Sequence, residues 1–196
     1  MLSPEKFRNE WEGSLIAYSE NEIGDAKINQ SNKDFLIKSG LPDDCAPFLS
    51  FNEKLYSLQL RSIKDSIELV NNDFDDKYVI GSDGSGGFIA IDGDDNGIKI
   101  FDHEYVGEVD EGGDLDFHEN FIPIQFMNTS VGHLAGCLLA YRQFVSSARA
   151  VRNNCAFSDL DLTHEELNEL EQALFLADSE CLKQKSFWHF ELMNLS

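Results

Sequence analysis

The sequence predicts an α+β fold with a mostly antiparallel sheet, a central meander, and flanking N-terminal and C-terminal helices. Three short apolar runs, at residues 78–80, 88–91 and 98–101, are separated by turns rich in Gly, Asp and Asn. Those turns are too short for the crossover that parallel strands need, so we expect antiparallel pairing. The longest helical pattern comes later, at residues 131–152. Strands followed by helices are typical of the α+β class.

The segment before the meander is predicted to contain two short helices. Ser3 is the expected N-cap of the first helix, with Pro4 at its first position. The second helix follows Ser31 or Asn32 as its cap, and Gly40 marks its end. Short strands are expected at residues 48–51 and 56–60. Residues 15–18 stay ambiguous between a short strand and a helical turn. Residues 62–76 are also ambiguous, because Ile63, Ile67 and Val70 have helical spacing that residues 71–73 break.

The segment after the meander is predicted to be mostly helical. Residues 105–116 are acidic and contain glycines, which favours a loop. Residues 121–127 are predicted to form a further strand, and Pro123 confines it to the edge of a sheet or to a strand end. The tripeptide at 128–130 caps the long helix, and Thr163 with Glu166 forms a capping box for another. The tail at 187–192 alternates, which favours a strand over a helix.

Composition predicts a single globular domain over residues 1–196, of which 42% are apolar and 11% aromatic. No apolar run approaches the roughly 18 residues of a membrane span, and the N-terminus does not resemble a signal peptide. The four cysteines, Cys45, Cys137, Cys155 and Cys181, have no metal or redox spacing. We therefore expect reduced thiols and a cytoplasmic location.

The charge is strongly negative and unevenly distributed. Against 36 acidic residues there are 15 basic ones, a net charge of −21. Residues 73–119 hold fifteen acids and two lysines, Lys77 and Lys99. Such a field repels nucleic acid and anionic membrane surfaces and attracts basic proteins, although solubility alone explains many acidic chains.

Three constellations suggest chemistry, and each has a simpler explanation. Residues 92–97, DGDDNG, match the start of a calcium loop, but its twelfth position is His103 instead of the required Glu. The glycine-rich residues 81–87 lack the Lys-Ser/Thr ending of a phosphate loop and precede a strand. Asp102, His103 and Glu104 are adjacent, so strand geometry would point them to opposite faces. We therefore predict turns and solvated residues, with no enzyme activity, cofactor or metal.

The meander and three further motifs, which follow one another along the chain in the order typical of the family, resemble the SUKH superfamily, and most closely its fourth subfamily. The motifs are YVIGSDGSGGFIAIDGDDNGIKIFDHE at 78–104, SGLP at 39–42, FMNTS at 126–130 and CLLAYR at 137–142, with Phe187-Trp188 near the end. The resemblance spans about residues 35–188.

The resemblance implies a binding protein without catalytic activity. Bacterial members are associated with polymorphic toxin systems, where they bind and neutralise a cognate toxin, often a nuclease or deaminase. The superfamily also has a regulatory branch of protein-interaction modules without a toxin, which is the alternative. Because nucleases carry cationic surfaces, we expect a basic toxin as partner and no nucleic acid or membrane. The predicted partner-binding residues are acids in expected loops: Asp83, Asp94, Asp95, Glu108, Asp110, Glu111 and Asp114.

Overall fold

The computed structural model of the chain describes residues 1–52, 59–70, 72–111, 121–152 and 162–196, apart from the side chains of Asp110 and Glu111. The helices of these residues are α1 (Pro4–Glu10), α2 (Glu20–Ile23), α3 (Gln30–Lys38), α4 (Ile63–Ile67), α5 (His103–Glu111), α6 (Val131–Val151), α7 (His164–Ala177) and α8 (Phe187–Leu195). The strands are β1 (Leu15–Ile16), β2 (Leu41–Pro42), β3 (Asp44–Cys45), β4 (Leu49–Ser50), β5 (Lys77–Ser82), β6 (Phe88–Asp92), β7 (Ile98–Phe101) and β8 (Ile124–Asn128).

The main sheet contains, among the described residues, six strands in the order β3-β4-β5-β6-β7-β8, and every neighbouring pair is antiparallel. The predicted meander of β5, β6 and β7 is therefore confirmed at the centre of this sheet. Strand β8 lies at one edge, directly after Pro123, as predicted. Strands β1 and β2 form a separate antiparallel pair. The predicted α+β class is confirmed.

Both faces of the central strands are buried, because alternate side chains enter two different cores. Ile89 and Ile91 face the larger core, which is covered by α1, α3, α6, α7 and α8. Ala90, between them, faces a smaller core under α4 and α5. This two-sided burial explains why the sequence of the meander is almost continuously apolar within each strand.

The predicted helix starts are confirmed where side chains cap the backbone. Ser3 accepts a hydrogen bond from the Lys6 amide, and Ser130 caps α6. Thr163 and Glu166 form the expected capping box of α7. The cap of α3 was predicted wrongly, because Asn29 and not Ser31 or Asn32 accepts the hydrogen bond, from the Asn32 amide.

The loop predicted at residues 105–116 is wrong for residues 105–111, which belong to α5, whereas residues 112–116 lie outside the described residues. Asp102 starts this helix by accepting hydrogen bonds from the amides of Glu104 (2.9 Å) and Tyr105 (3.1 Å). Val106 is fully buried, and Val109, one turn on, packs on the same small core. Burial of this short apolar face outweighs the acidic and glycine residues around it.

The strand favoured for the tail is also wrong, because Phe187–Leu195 form helix α8. Ser186 caps it by accepting a hydrogen bond from the His189 amide. Trp188, Leu192 and Leu195 recur at helical spacing and all contact the larger core. The apparent alternation of aromatic residues was therefore a coincidence of a short segment.

Several shorter predictions are resolved in part. Residues 15–16 are a strand, and residues 63–67 a helix followed by a 3-10 turn at Asn72–Phe74. The strand predicted at 48–51 is shorter, because Phe48 has φ +64° and lies in the loop before β4. Most of the strand predicted at 56–60 lies outside the described residues. No helix of the described ranges is long and apolar enough to cross a membrane.

Two glycines are required by close backbone contacts. Gly40, with φ +76°, sits where a Cβ would lie 2.0 Å from the Ile16 carbonyl oxygen. At Gly81 a Cβ would lie 2.3 Å from the carbonyl oxygen of Ser50 on the neighbouring strand. Both positions belong to motifs of the sequence resemblance, which are thus explained by the path of the backbone.

Candidate protein-binding surface

The predicted acidic contact residues lie at opposite ends of the sheet. Asp94 and Asp95 belong to the turn between β6 and β7, which we call the aspartate-turn end (residues 93–97). Asp83 belongs to the turn between β5 and β6, at the opposite end of the sheet. Helix α5, which carries Glu108, follows β7 at the same end as Asp83. Strand β6 separates the two ends by about 16 Å, at roughly 3.3 Å per residue. The acids therefore do not form one continuous patch.

At the aspartate-turn end the acids are already paired. Asp94 contacts the Lys77 ammonium at 2.5 Å, and Asp95 contacts that of Lys99 at 2.7 Å. Both ammonium groups also contact Asp92, each at 2.6 Å. The carboxylates that resemble a calcium loop thus bind lysine side chains. Among the described residues, no group of three or more His, Cys, Asp or Glu is arranged to hold a metal ion.

Asp92 ties this network to the sheet. Its burial opposes ionisation, but hydrogen bonds from Lys77 and Lys99 outweigh burial and lower the pKa of Asp92. The turn is also anchored to α3, because Asn96 accepts a hydrogen bond from the Asn29 amide at 2.5 Å. This end is therefore tied to the sheet and to α3, and its three carboxylates share two lysines.

Asp83 is used to fold the glycine-rich turn. Its carboxylate accepts hydrogen bonds from the Gly87 amide (2.7 Å) and from both the amide and the hydroxyl of Ser85 (3.0 and 2.9 Å). This pattern is an Asx-type turn, in which a side chain replaces a backbone acceptor. The contacts favour the interpretation that the glycine-rich stretch makes a turn.

The remaining predicted contact residues follow one another after the sheet. Glu108 lies on α5 and is exposed. Asp110 and Glu111 belong to the end of α5, and their side chains are outside the described part of the structure. Asp114 lies outside the described residues altogether. A role of any of them in binding stays a prediction.

Phe48 gives this end of the sheet an exposed aromatic side chain that sequence reasoning missed. Phe48 is 85% exposed, and its Cβ and carbonyl oxygen lie against Gly84 in the glycine-rich turn. On the other side of that turn, a side chain at Gly86 would meet the His103 imidazole, 3.6 Å from Nδ1. We call this surface the glycine-turn end: residues 44–48, the turn at 83–87 and α5 from His103 to Glu108.

The acids at the glycine-turn end lack cationic partners. Asp44, Glu104 and Glu108 are exposed, and no Lys or Arg of the described chain lies within ion-pair distance of them. The two ends therefore differ in kind. At one end the acids are paired with lysines, and the other end combines unpaired acids with an exposed aromatic ring.

A cleft of about 870 Å³ lies beside the glycine-turn end, between the β3–β4 hairpin and helices α6 and α8. Its lining residues are Asp44, Cys45, Ala46, Pro47, Phe48, Leu49, Ser50, Tyr141, Val145, Arg149, Glu191, Asn194 and Leu195. Burial raises the pKa of Glu191 to about 7. Burial, and secondarily the Glu191 charge, raises the pKa of Tyr141.

The cysteines of the structure are reduced thiols at Cys45, Cys137 and Cys181, whereas Cys155 lies outside the described residues. Burial raises the pKa of Cys45 to about 12, with a further contribution from Asp44. Burial also raises the pKa of Cys137, which contacts Cys181. Both shifts keep the thiol protonated at neutral pH, which is opposite to the activation of a cysteine nucleophile.

Other motifs of the resemblance converge in the core, away from the surface. Asn128 donates through Nδ2 to Asp178 Oδ2 (3.0 Å) and accepts a hydrogen bond from Trp188 Nε1 (3.0 Å). Asn128 also lies 3.2 Å from Cys137 Sγ. Asp178 was not predicted from the sequence, yet it is 4% exposed and also accepts from the Thr129 amide at 2.8 Å. These motifs therefore determine how β8, α6 and α8 pack.

The meander, the required glycines and this buried network together define an α+β protein whose motifs serve its packing. The chain belongs to the SUKH-4 immunity protein family, whose model matches residues 5–193. Membership implies an immunity protein directed against a toxin, in agreement with the sequence resemblance. No curated protein and no solved structure matches the chain. The single domain expected over residues 1–196 stays a prediction.

Proposed function

We propose that this protein binds and neutralises a cognate toxin whose nucleic-acid-binding surface is basic, a nuclease or a deaminase. It does so by contact through the glycine-turn end, without catalysis, in the cytoplasm of the cell that needs protection. The proposal rests on family membership for the immunity role and on one structural observation for the surface. That observation is an exposed aromatic ring, Phe48, beside unbalanced acids.

The charge argument supports a basic partner. Enzymes that act on nucleic acid need cationic surfaces to hold phosphate groups. Unpaired carboxylates such as those of Glu104 and Glu108 meet such a surface without first breaking internal ion pairs. The net charge of −21 adds long-range attraction, which speeds the encounter.

Phe48 supports a specific contact rather than a purely electrostatic one. Buried aromatic residues commonly supply much of the binding energy at the centre of an interface, with polar residues around them. Asp44 and the glycine-rich turn surround Phe48 in this way. Asp94 and Asp95 fit the proposal less well, because binding there competes with Lys77 and Lys99.

The absence of catalysis is supported by the states of the candidate groups. The cysteines with raised pKa values are poor nucleophiles, and Asp102 is used as the cap of α5. The protective effect is therefore expected to follow binding stoichiometry, with one bound molecule inhibiting one toxin molecule.

Capture from the native cell at low and at moderately high salt tests this function. The expected result is one basic nuclease or deaminase whose retention falls as salt rises, because screening weakens charge attraction. Several neutral partners, or none at either salt, would favour the regulatory module instead.

Charge reversal then tests the surface in cells that express the captured toxin. We expect Glu104→Lys with Glu108→Lys to reduce protection, and Asp110→Lys with Glu111→Lys to do the same if the surface continues along α5. The matched control is Asp25→Lys with Asp94→Lys, an equal charge change at two exposed acids. Asp94 belongs to the aspartate-turn end, and Asp25 lies two residues before Lys27, whose carbonyl lies against Gly93 of that turn. Loss of protection with the control pair alone would move the contact to that end.

A further inference from the structure

The cleft beside the glycine-turn end has a floor and walls made by three separate elements. The β3–β4 hairpin contributes Phe48 at the mouth, α6 contributes Tyr141 and Val145, and α8 contributes Glu191 and Leu195. Tyr141 is fully buried in the protein, whereas Phe48 is 85% exposed. The cleft therefore passes from an exposed aromatic ring to a buried one.

Glu191 is a carboxylate without a partner in this apolar setting. No hydrogen bond or ion pair joins it to another residue of the described chain, and burial is the cause of its raised pKa. Glu191 is half-buried, so its charge loses part of its hydration, and a cation that enters the cleft offsets that loss. The carboxylate thus favours a positively charged occupant.

Arg149 lines the same cleft but does not neutralise Glu191. It has interactions of its own and is not among the influences on the Glu191 pKa. The titratable and charged groups that line the cleft are Asp44, Cys45, Tyr141, Arg149 and Glu191. Two carboxylates face one guanidinium, so the cleft remains acidic overall.

The shape of the cleft favours arginine over lysine. A guanidinium is planar, stacks on aromatic rings and donates in a fork that matches a carboxylate, whereas an ammonium is a compact, strongly hydrated charge. The exposed ring of Phe48 and the carboxylate of Glu191 provide these two kinds of contact, while Tyr141 is fully buried behind them. A cleft of about 870 Å³ also has room for a side chain of this size.

We propose that this cleft receives an arginine side chain of the basic toxin, which pairs with Glu191 while Phe48 packs over its aliphatic part. The inference rests on the proposed function and names a specific anchor for it. The glycine-turn acids steer the toxin, and the cleft holds one of its arginines. Binding then depends on one carboxylate more than on the total charge.

A short peptide tests the cleft without any toxin. The probe is a capped pentapeptide with a central arginine between glycines, compared with the same peptide carrying neutral citrulline. Amide chemical shifts of the protein are followed during titration at pH 6 and pH 8. We expect shifts confined to the cleft, at least fivefold weaker binding of the citrulline peptide, and tighter arginine binding at the higher pH.

Two variants decide the result. Glu191→Gln is expected to weaken arginine binding at least fivefold and to remove its pH dependence, whereas Glu169→Gln, at an exposed position of α7 away from the cleft, leaves both unchanged. Equal binding by Glu191→Gln and the parent protein, shifts spread over several acidic surfaces, or no cleft shifts at millimolar peptide would each overturn the proposal. If Glu191→Gln still captures the toxin, the proposal that the cleft binds an arginine is contradicted, whereas the proposed function is not.

Discussion

Trp188 donates a hydrogen bond from its indole Nε1 to Oδ1 of Asn128, 3.0 Å away across 60 residues of sequence. The same Asn128 donates to the buried carboxylate of Asp178. One amide therefore connects the edge strand β8 with the C-terminal helix α8 and with the segment between α7 and α8. This arrangement holds α8, and with it Glu191, in place at the cleft.

The first prediction concerns this network. Trp188→Phe removes the indole donor, leaves the Asn128 oxygen unpaired and opens a cavity, so we expect a loss of roughly 2–4 kcal/mol in unfolding free energy. Phe190→Leu, at a half-buried position of the same helix, is the control and is expected to cost about 1 kcal/mol or less. Urea denaturation of both variants measures the difference. Equal losses would show that the hydrogen bond contributes little.

The second prediction concerns the glycine of the SGLP motif. Gly40 has a positive φ, and Gly40→Ala places a Cβ 2.0 Å from the Ile16 carbonyl oxygen. We therefore expect the free energy of unfolding to fall by roughly 3 kcal/mol or more. Gly107→Ala is the matched control, because nothing lies within 4 Å of its Cβ in helix α5. It should stabilise the protein by roughly 0.5–1 kcal/mol through helix propensity. Thermal melts that rank the two variants in the opposite order contradict this account.

The third prediction separates the buried aspartate from its exposed neighbour. Asp92→Asn leaves Lys77 and Lys99 without their shared buried partner and should cost roughly 2–4 kcal/mol at neutral pH. Asp94→Asn, whose side chain is 77% exposed, should cost less than about 1 kcal/mol.

Acid titration of stability extends that comparison. Because the folded-state pKa of Asp92 is lowered, its contribution is present above the ordinary value of 3.8 and is lost as pH falls through the lowered pKa. The difference in unfolding free energy between the parent protein and Asp92→Asn should therefore decrease below about pH 4. A difference that stays constant into strong acid would show that the network does not depend on ionised Asp92.

The fourth prediction concerns the pH dependence of Glu191. Its pKa is raised from 4.5 to about 7, so the folded state binds the proton more tightly than the unfolded state. Stability from this group is fully present below pH 4.5 and declines as pH rises to about 7. At pH 8, Glu191→Gln should be more stable than the parent protein by about 1 kcal/mol, which is roughly 2–4 °C in Tm. The figure is small because solvent screens the half-exposed carboxylate.

The control for that prediction is the same pair of proteins at about pH 4, where the carboxyl group is protonated and the two melting temperatures should agree. A variant that is less stable than the parent at pH 8 would indicate that ionised Glu191 has a stabilising partner. The variant would then need to be reconsidered as a probe of the cleft.

Local sequence signals predicted the parts of the fold that depend on local chemistry. Strands β5, β6 and β7 are β-branched runs between turn residues, and α1, α6 and α7 begin at recognisable caps. Helix α5 was missed because only Tyr105, Val106 and Val109 form its apolar face, among acids and Gly107. Its stability comes from packing on Phe74 and Phe101, which no local pattern reveals.

The candidate site was predictable only in its charge. The excess of acids around the meander is visible in the sequence, but the ion pairs of Asp94 and Asp95 depend on strand register. The cleft joins residues near 45, 145 and 191, so its existence depends on long-range packing. Phe48 was hidden because an aromatic residue next to a strand normally faces a core.

The most direct test of the central claim measures the affinity of the captured toxin for three proteins at two salt concentrations. The proteins are the parent, Phe48→Ala, and the control Asp25→Lys with Asp94→Lys. We expect Phe48→Ala to weaken binding at least tenfold through faster dissociation, at both salt concentrations and with an unchanged melting temperature. The control should bind within about threefold of the parent. Unchanged affinity of Phe48→Ala, together with a large loss in the control, would contradict binding through the glycine-turn end.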